Sequence, residues 1–234
     1  LHADYIKETW IPSTTSKYKV LPDSGFFLNH PNLNNAPVFA EQMKNIVRMQ
    51  NCTLPKNCIA GKQSKEMWKC FLAPEIYNSL DSPVFILNSV YDLYQTQCIL
   101  TEEFVGINNT VHDCSAIPGW FNCTQQMDLC TPEQISVLSS CKDDMLAQMN
   151  SSSRWRKQGN GAFLYSCYSH KAMTYPGNWN FITRDNTTMQ QAVTRWWLSE
   201  NESATLHSYL PCTFHPHKPY NCNPTCWPSI ISKI

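Results

Sequence analysis

Two short apolar runs, each ending in a turn that carries one ionisable side chain, constrain this chain most. They are Ser82-Pro83-Val84-Phe85-Ile86-Leu87-Asn88-Ser89-Val90-Tyr91-Asp92 and Gly161-Ala162-Phe163-Leu164-Tyr165-Ser166-Cys167-Tyr168-Ser169-His170. A compact apolar run of this length reads as a strand buried on both faces of a parallel sheet. The position just past the carboxyl end of such a strand is where open α/β sheets place their chemistry. Asp92 and His170 occupy those positions.

Cysteine usage sets the compartment. The chain has 12 cysteines in 234 residues, and none form a C-x₂-C pair, which argues against a zinc ribbon. An even count with scattered spacing points to disulfides in an oxidising compartment. Six N-x-[ST] sequons agree, at Asn51, Asn108, Asn122, Asn150, Asn186 and Asn201. Together they predict a secreted glycoprotein, extracellular or in the lumen of the secretory pathway. Net charge is zero with only 15% charged residues, so nucleic acid is not an expected partner. The apolar runs are too short for a membrane span. Leu1-His2-Ala3-Asp4 has neither the basic nor the apolar region of a signal peptide, so any targeting sequence lies outside these residues or has been removed.

Along the chain, helices are expected over 1–10, 37–49, 66–80 and 188–198. Another begins at Thr131-Pro132-Glu133-Gln134, where Thr caps, Pro takes the first helical position and Gln completes a capping box. A short strand is read over 18–21 and a loop over 25–28, a long irregular segment over 95–130 and a polar loop over 150–161. Strands alternating with helices point to α/β layering.

Asp92 and His170 read in two ways. As a pair they are the orienting acid and general base of a nucleophilic triad, the back half of the order Ser…Asp…His found in α/β-hydrolases. Taken singly, Asp92 caps a turn and His170 is an ordinary loop residue. No G-x-S-x-G occurs in the sequence, so the front half of that order is missing. His215-Pro216-His217 beside Cys222 and Cys226 is better read as a disulfide-pinned tail than as a metal site, and no metal or cofactor is expected. A glycosidase needs two convergent carboxylates; Glu102 and Glu103 are adjacent and would diverge on a strand, and Asp143-Asp144 read as a solvated helix face.

At these segments the chain resembles the pectin acetylesterase / Notum family. Leu1-His2-Ala3-Asp4 resembles the helix after the family's Gly-x-Ser-Ala-Gly-Gly nucleophile elbow, and Pro22-Asp23-Ser24-Gly25-Phe26-Phe27-Leu28 its next loop. Leu54-Pro55 with Cys58 and Cys70-Phe71, Asn88-x-x-Tyr91-Asp92, Cys123 with Cys130-Thr131-Pro132-x-Gln134, and Ser166-Cys167-Tyr168-x-His170 follow in order. Tyr220-x-Cys222-Asn223-Pro224-Thr225-Cys226 is similar to the plant-type ending.

The resemblance implies an α/β fold, an α/β-hydrolase-like three-layer sandwich that is incomplete at its N-terminal side in this chain. Residues 1–234 would be the C-terminal portion of one domain, with a Cys/Pro-rich tail over 211–234. It implies hydrolysis of carboxylic esters: acetyl groups on a glycan, or an acyl group on a protein. Asp92 is then the triad acid, His170 the base, and Phe26 and Phe27 walls of the acyl pocket. Cys58–Cys70 and Cys123–Cys130 are the implied short-loop disulfides, and Cys167 joins the tail at Cys212, Cys222 or Cys226.

The departures matter equally. Lys171 stands where many relatives have Cys, and Cys98, Cys114 and Cys141 are additional. The nucleophile elbow and the oxyanion segment are absent, so this chain alone is expected to be inactive. The expected partner is an upstream segment, continuous or cleaved, that carries the Ser; self-assembly is a further expectation. The rival expectation is an inactive extracellular glycoprotein that keeps the scaffold as a structural or binding module.

Overall fold

A computed structural model describes residues 2–101, 117–174, 176–181, 183–184, 186–199, 206–208 and 225–226. The helices are α1 (Ala3–Trp10), α2 (Val38–Met49), α3 (Lys56–Ile59), α4 (Ala73–Ser79), α5 (Leu93–Gln97), α6 (Pro118–Gln125), α7 (Pro132–Ser151), α8 (Pro176–Phe181) and α9 (Met189–Leu198). The strands are β1 (Phe85–Ser89), β2 (Gly161–Tyr165), β3 (Thr183–Arg184), β4 (Thr187–Thr188) and β5 (Leu206–Ser208). β3 and β4 form a small antiparallel hairpin, and the central sheet runs β1-β2-β5 with parallel pairing.

β1 and β2 pair from Phe85↔Gly161 to Ser89↔Tyr165, and every residue of both strands is buried. The two-residue alternation of a strand sends their side chains to two different cores. Ile86, Ala162 and Leu164 join Ile76 of α4, Trp120 of α6 and Leu138, Met145 and Met149 of α7. Phe85, Leu87, Phe163 and Tyr165 pack instead on Met189, Ala192 and Trp196 of α9. Helices therefore cover both faces, giving the three-layer arrangement that a wholly apolar parallel strand requires. Truncating a fully buried aromatic such as Phe163 is worth about 3–5 kcal/mol in a site of this kind.

Local signals explain the covering helices. Thr131 Oγ1 accepts from Gln134 N at 3.3 Å while Gln134 Oε1 accepts from Thr131 N at 2.8 Å, with Pro132 opening α7. Thr188 and Gln191 repeat the same capping box at α9. Trp196 is anchored by its indole N–H on Gly159 O at 2.7 Å. Gly159 holds φ at +84°, a conformation that suits glycine. Buried Asn160 ties the two strand starts together: its Oδ1 accepts Val84 N at 2.9 Å and its Nδ2 donates to Arg154 O at 2.8 Å.

Four sequence expectations are corrected. The helix expected over 66–80 is broken at Leu72, which is extended (φ −85°, ψ 138°) between a 3-10 helix over 64–71 and α4. Pro74 has no N–H to give to Cys70 O, and its ring would crowd that carbonyl in a continuous helix, so the chain must restart. The segment over 95–130 is not simply irregular: it contains α6 and the end of α5, while residues 102–116 lie outside the described residues. The strand expected over 18–21 is reduced to two isolated parallel bridges, Val20↔Val84 and Asp23↔Leu87, flanking a proline that cannot donate to a ladder. The polar loop over 150–161 also packs inward, with Trp155 in the α7-side core.

Among the described residues Cys58 bonds Cys70, Cys123 bonds Cys130 and Cys167 bonds Cys226. Cys98 is also disulfide-bonded, and Cys52 and Cys141 are free thiols. Cys114, Cys212 and Cys222, with His215 and His217, lie outside the described residues, as do Asn108 and Asn201. The other sequon positions, Asn51, Asn122, Asn150 and Asn186, are all exposed. Among the described residues no helix is long and apolar enough to cross a membrane.

Candidate active site

The site grows from the carboxyl ends of β1 and β2. Past Ser89 the chain turns through Val90 and Tyr91 into Asp92, the N-cap of α5. Past Tyr165 it runs through Cys167 to His170. The two turns are stitched together by Val90 N on Tyr165 O at 2.8 Å, Ser89 Oγ on Cys167 O at 2.6 Å and Leu93 N on Ser169 O at 3.3 Å. The Cys167–Cys226 disulfide lies three residues before the histidine.

His170 Nδ1 lies 2.8 Å from Asp92 Oδ2. A carboxylate can only accept, so Nδ1 carries the proton, and in the neutral ring Nε2 is the nitrogen that keeps a lone pair. The other Asp92 oxygen, Oδ1, accepts Gln95 N at 3.0 Å. The acid side chain is 4% exposed and the base 19%, so the carboxylate is enclosed and the imidazole meets solvent. An enclosed carboxylate paired with a solvent-facing imidazole is the arrangement that an orienting acid and a general base require.

Two aromatic rings flank the imidazole. Phe27 stacks at 6.1 Å between centroids and 29° between planes, and Tyr94 lies at 5.7 Å and 31°. Phe27 also lines an apolar cleft of ≈ 270 Å³ together with Phe26, Phe39, Met43, Leu72 and Ile76. The cleft therefore adjoins the imidazole through Phe27. Tyr77 lines it too, and burial pushes its phenol up to about 12, so it is neutral in the working range.

Sequence reasoning missed the residues that hold this loop against the acid. Asn88 Oδ1 accepts Phe26 N at 3.2 Å, and Gln95 Oε1 accepts Leu28 N at 2.8 Å. Asn88 did carry a signal, as an amide inside an apolar run; Gln95 carried none. Ser24, the closest imitation of an elbow serine, has its hydroxyl engaged: it accepts Lys171 N at 2.8 Å and donates to Asp23 Oδ1 at 3.3 Å. Asp143 and Asp144 are exposed on α7, and Asp144 meets His30 at 3.4 Å. Glu102 and Glu103 lie outside the described residues.

The family model for Pectinacetylesterase matches residues 1–227. Pectin acetylesterase 5 of Arabidopsis thaliana is 27% identical over 234 residues, covering 97% of this chain and 48% of that protein. The palmitoleoyl-protein carboxylesterase NOTUM of Schmidtea mediterranea is 23% identical over 181 residues, covering 74% of this chain and 28% of that one. Among solved structures, the Wnt deacylase Notum from Drosophila superposes with a TM-score of 0.67 at 18% identity, over 97% of this chain and 54% of that one. The fold is thus α/β-hydrolase-like. The chain spans about half the length of the pectin acetylesterases it matches.

Proposed function

The chain belongs to the pectinacetylesterase family, and on that premise we propose that it forms the acid–base half of a carboxylic ester hydrolase that removes acetyl groups from a glycan. The observation that carries this reading is the 2.8 Å contact between a buried Asp92 carboxylate and His170, at the carboxyl ends of adjacent parallel strands. In the proposed reaction His170 Nε2 takes the proton of a serine hydroxyl supplied by sequence outside residues 1–234. The serine oxygen adds to the ester carbonyl, the adduct collapses by breaking the bond between the acyl carbon and the sugar oxygen, and the imidazolium gives its proton to that departing oxygen. Water then repeats the sequence to release acetate. Asp92 stabilises the imidazolium throughout and keeps its own charge. Phe27 borders the imidazole and the cleft, so a small apolar acyl group would rest beside the base.

We assign the protein to the secretory pathway or the extracellular space. The disulfides support this, as do the exposed sequon residues Asn51, Asn122, Asn150 and Asn186.

The test is to express residues 1–234 alone and with the sequence that precedes them, then assay a small acetyl ester. Turnover only in the longer form, abolished by His170→Ala, supports the proposal. A folded longer form without turnover overturns it and favours an inactive scaffold.

A further inference from the structure

The loop that follows Pro22 does more than wall the cleft. Pro22 O accepts Leu87 N at 3.1 Å and Ser24 N donates to Leu87 O at 2.8 Å, so the loop is fixed along β1. From there it reaches across to the chain just past the base. Ser24 Oγ accepts Lys171 N at 2.8 Å, and Asp23 Oδ2 accepts Met173 N at 2.9 Å. Ser24 is 2% exposed. Both Ser24 and Lys171 sit in left-handed backbone, at φ +54° and +56°. Such a conformation is costly for a residue with a Cβ and persists where its surroundings over-determine it. Here the two strained residues are bonded to each other.

On its N-terminal side His170 is held through Ser169 O and Cys167 O, bonded from the acid turn. On its C-terminal side the tether is the pair of bonds from Asp23 and Ser24. We propose that Asp23 and Ser24 are positioning residues for His170. They fix the turn over 171–173 and so set the plane of the imidazole and the direction of Nε2. The proposal rests on the reading of His170 as the general base. Its consequence is kinetic, because misplacing a reacting group by about 1 Å costs about 10²-fold in rate. Ser24 is then a serine beside the site whose hydroxyl is spent on holding the base, not on attack.

The experiment uses the intact protein, labelled with ¹⁵N-histidine. The His170 Nδ1 proton is assigned by its loss in His170→Gln. Ser24→Ala and Ser24→Gly are compared with wild type. The glycine variant relieves the positive φ, so it removes the hydroxyl without a new backbone penalty and guards against simple failure to fold. The expected result is that both variants keep their melting temperature within a few degrees, yet lose the downfield Nδ1–H resonance or move it toward that of an unpaired imidazole. Ester turnover should fall about 10²-fold in kcat with KM unchanged. Folded variants that keep the wild-type resonance overturn the proposal. Wild type without turnover counts against the ester reading alone, because the resonance reports on Ser24 independently.

Discussion

Asp92 divides its two carboxylate oxygens between two tasks: Oδ2 faces His170 Nδ1 at 2.8 Å and Oδ1 caps α5 through Gln95 N at 3.0 Å. The two readings that the sequence left open for this residue are therefore not alternatives. The cap holds the side chain in one rotamer, and that rotamer aims the second oxygen at the imidazole. A helix start thus positions the carboxylate, and the buried setting strengthens its hydrogen bond to the imidazole.

The two tasks can be separated by substitution. Asp92→Asn keeps an oxygen for the cap but loses the charge and permits the wrong imidazole tautomer. In a longer form that turns over a small acetyl ester, kcat should fall by about 10⁴-fold, with stability within about 1 kcal/mol of wild type. Asp92→Ala should lose activity similarly and a further ~1 kcal/mol for the missing cap. Urea melts run beside the kinetics check the split; equal destabilisation by both substitutions would show that the cap contributes nothing.

The disulfides should differ in worth according to the loop each closes. Cys167–Cys226 spans 59 positions and Cys123–Cys130 spans 7. Loop-closure entropy assigns about 4 kcal/mol to the first and about 2 kcal/mol to the second. Replacing each pair by serine and measuring unfolding in guanidinium tests the order. Loss of Cys167–Cys226 should also weaken the downfield His170 Nδ1–H signal, since Cys167 O is one of the tethers of the base turn; loss of Cys123–Cys130 should leave that signal in place.

What the sequence made legible was what is local. β1 and β2 showed as continuous apolar runs because both of their faces are covered, and the start of α7 showed in Thr131, Pro132 and Gln134, all within four positions. The helix over 66–80 was misread because its apolar spacing continues across Leu72, and the competing effect of Pro74 acts on a carbonyl four residues earlier. In the site, Asp92 and His170 were visible as the ends of their runs. The contacts that hold them were not: Ser24 and Lys171 are 147 positions apart, and Phe27 meets His170 across a similar distance in sequence. Pairings of that range leave no trace in periodicity or spacing.

The two thiols that are free among the described residues should react very differently. Cys52 is partly exposed, whereas Cys141 is 3% exposed in the α7-side core. Burial pushes the Cys141 thiol up to about 12, with the carboxylates of Asp144 and Asp92 adding to the shift. The reactive species is the thiolate, so at pH 8 Cys141 offers almost none and is shielded as well. Iodoacetamide followed by peptide mapping should label Cys52 in the native protein and Cys141 only after denaturation. Native labelling of Cys141 at a comparable rate would contradict the packing of α7 on the sheet.

The last prediction concerns acid stability and the anchoring of α1. The Asp4 carboxylate accepts Ser82 Oγ at 2.6 Å, Ser82 N at 3.0 Å and Asp81 N at 2.9 Å, so it clips α1 to the turn that leads into β1. Partial burial alone would raise its pKa; the Ser82 hydroxyl and the two amides outweigh that, with Arg154 adding a smaller pull, and the net direction is down. A carboxyl whose folded pKa lies below its unfolded value binds its proton more weakly in the native state. Its stabilising contribution is therefore complete above the unfolded value near 3.9, and is lost as pH falls through the lower folded value. Asp4→Asn preserves one acceptor oxygen but removes this titration. The melting temperature of Asp4→Asn should lie below wild type at pH 6, and the gap should narrow as pH drops below about 4. Tyr18 OH, which bonds Ala3 O at 2.7 Å, is untouched by the change and keeps the helix in reach of its seat. A gap of constant size from pH 6 to pH 3 would show that Asp4 acts through its shape and not its charge.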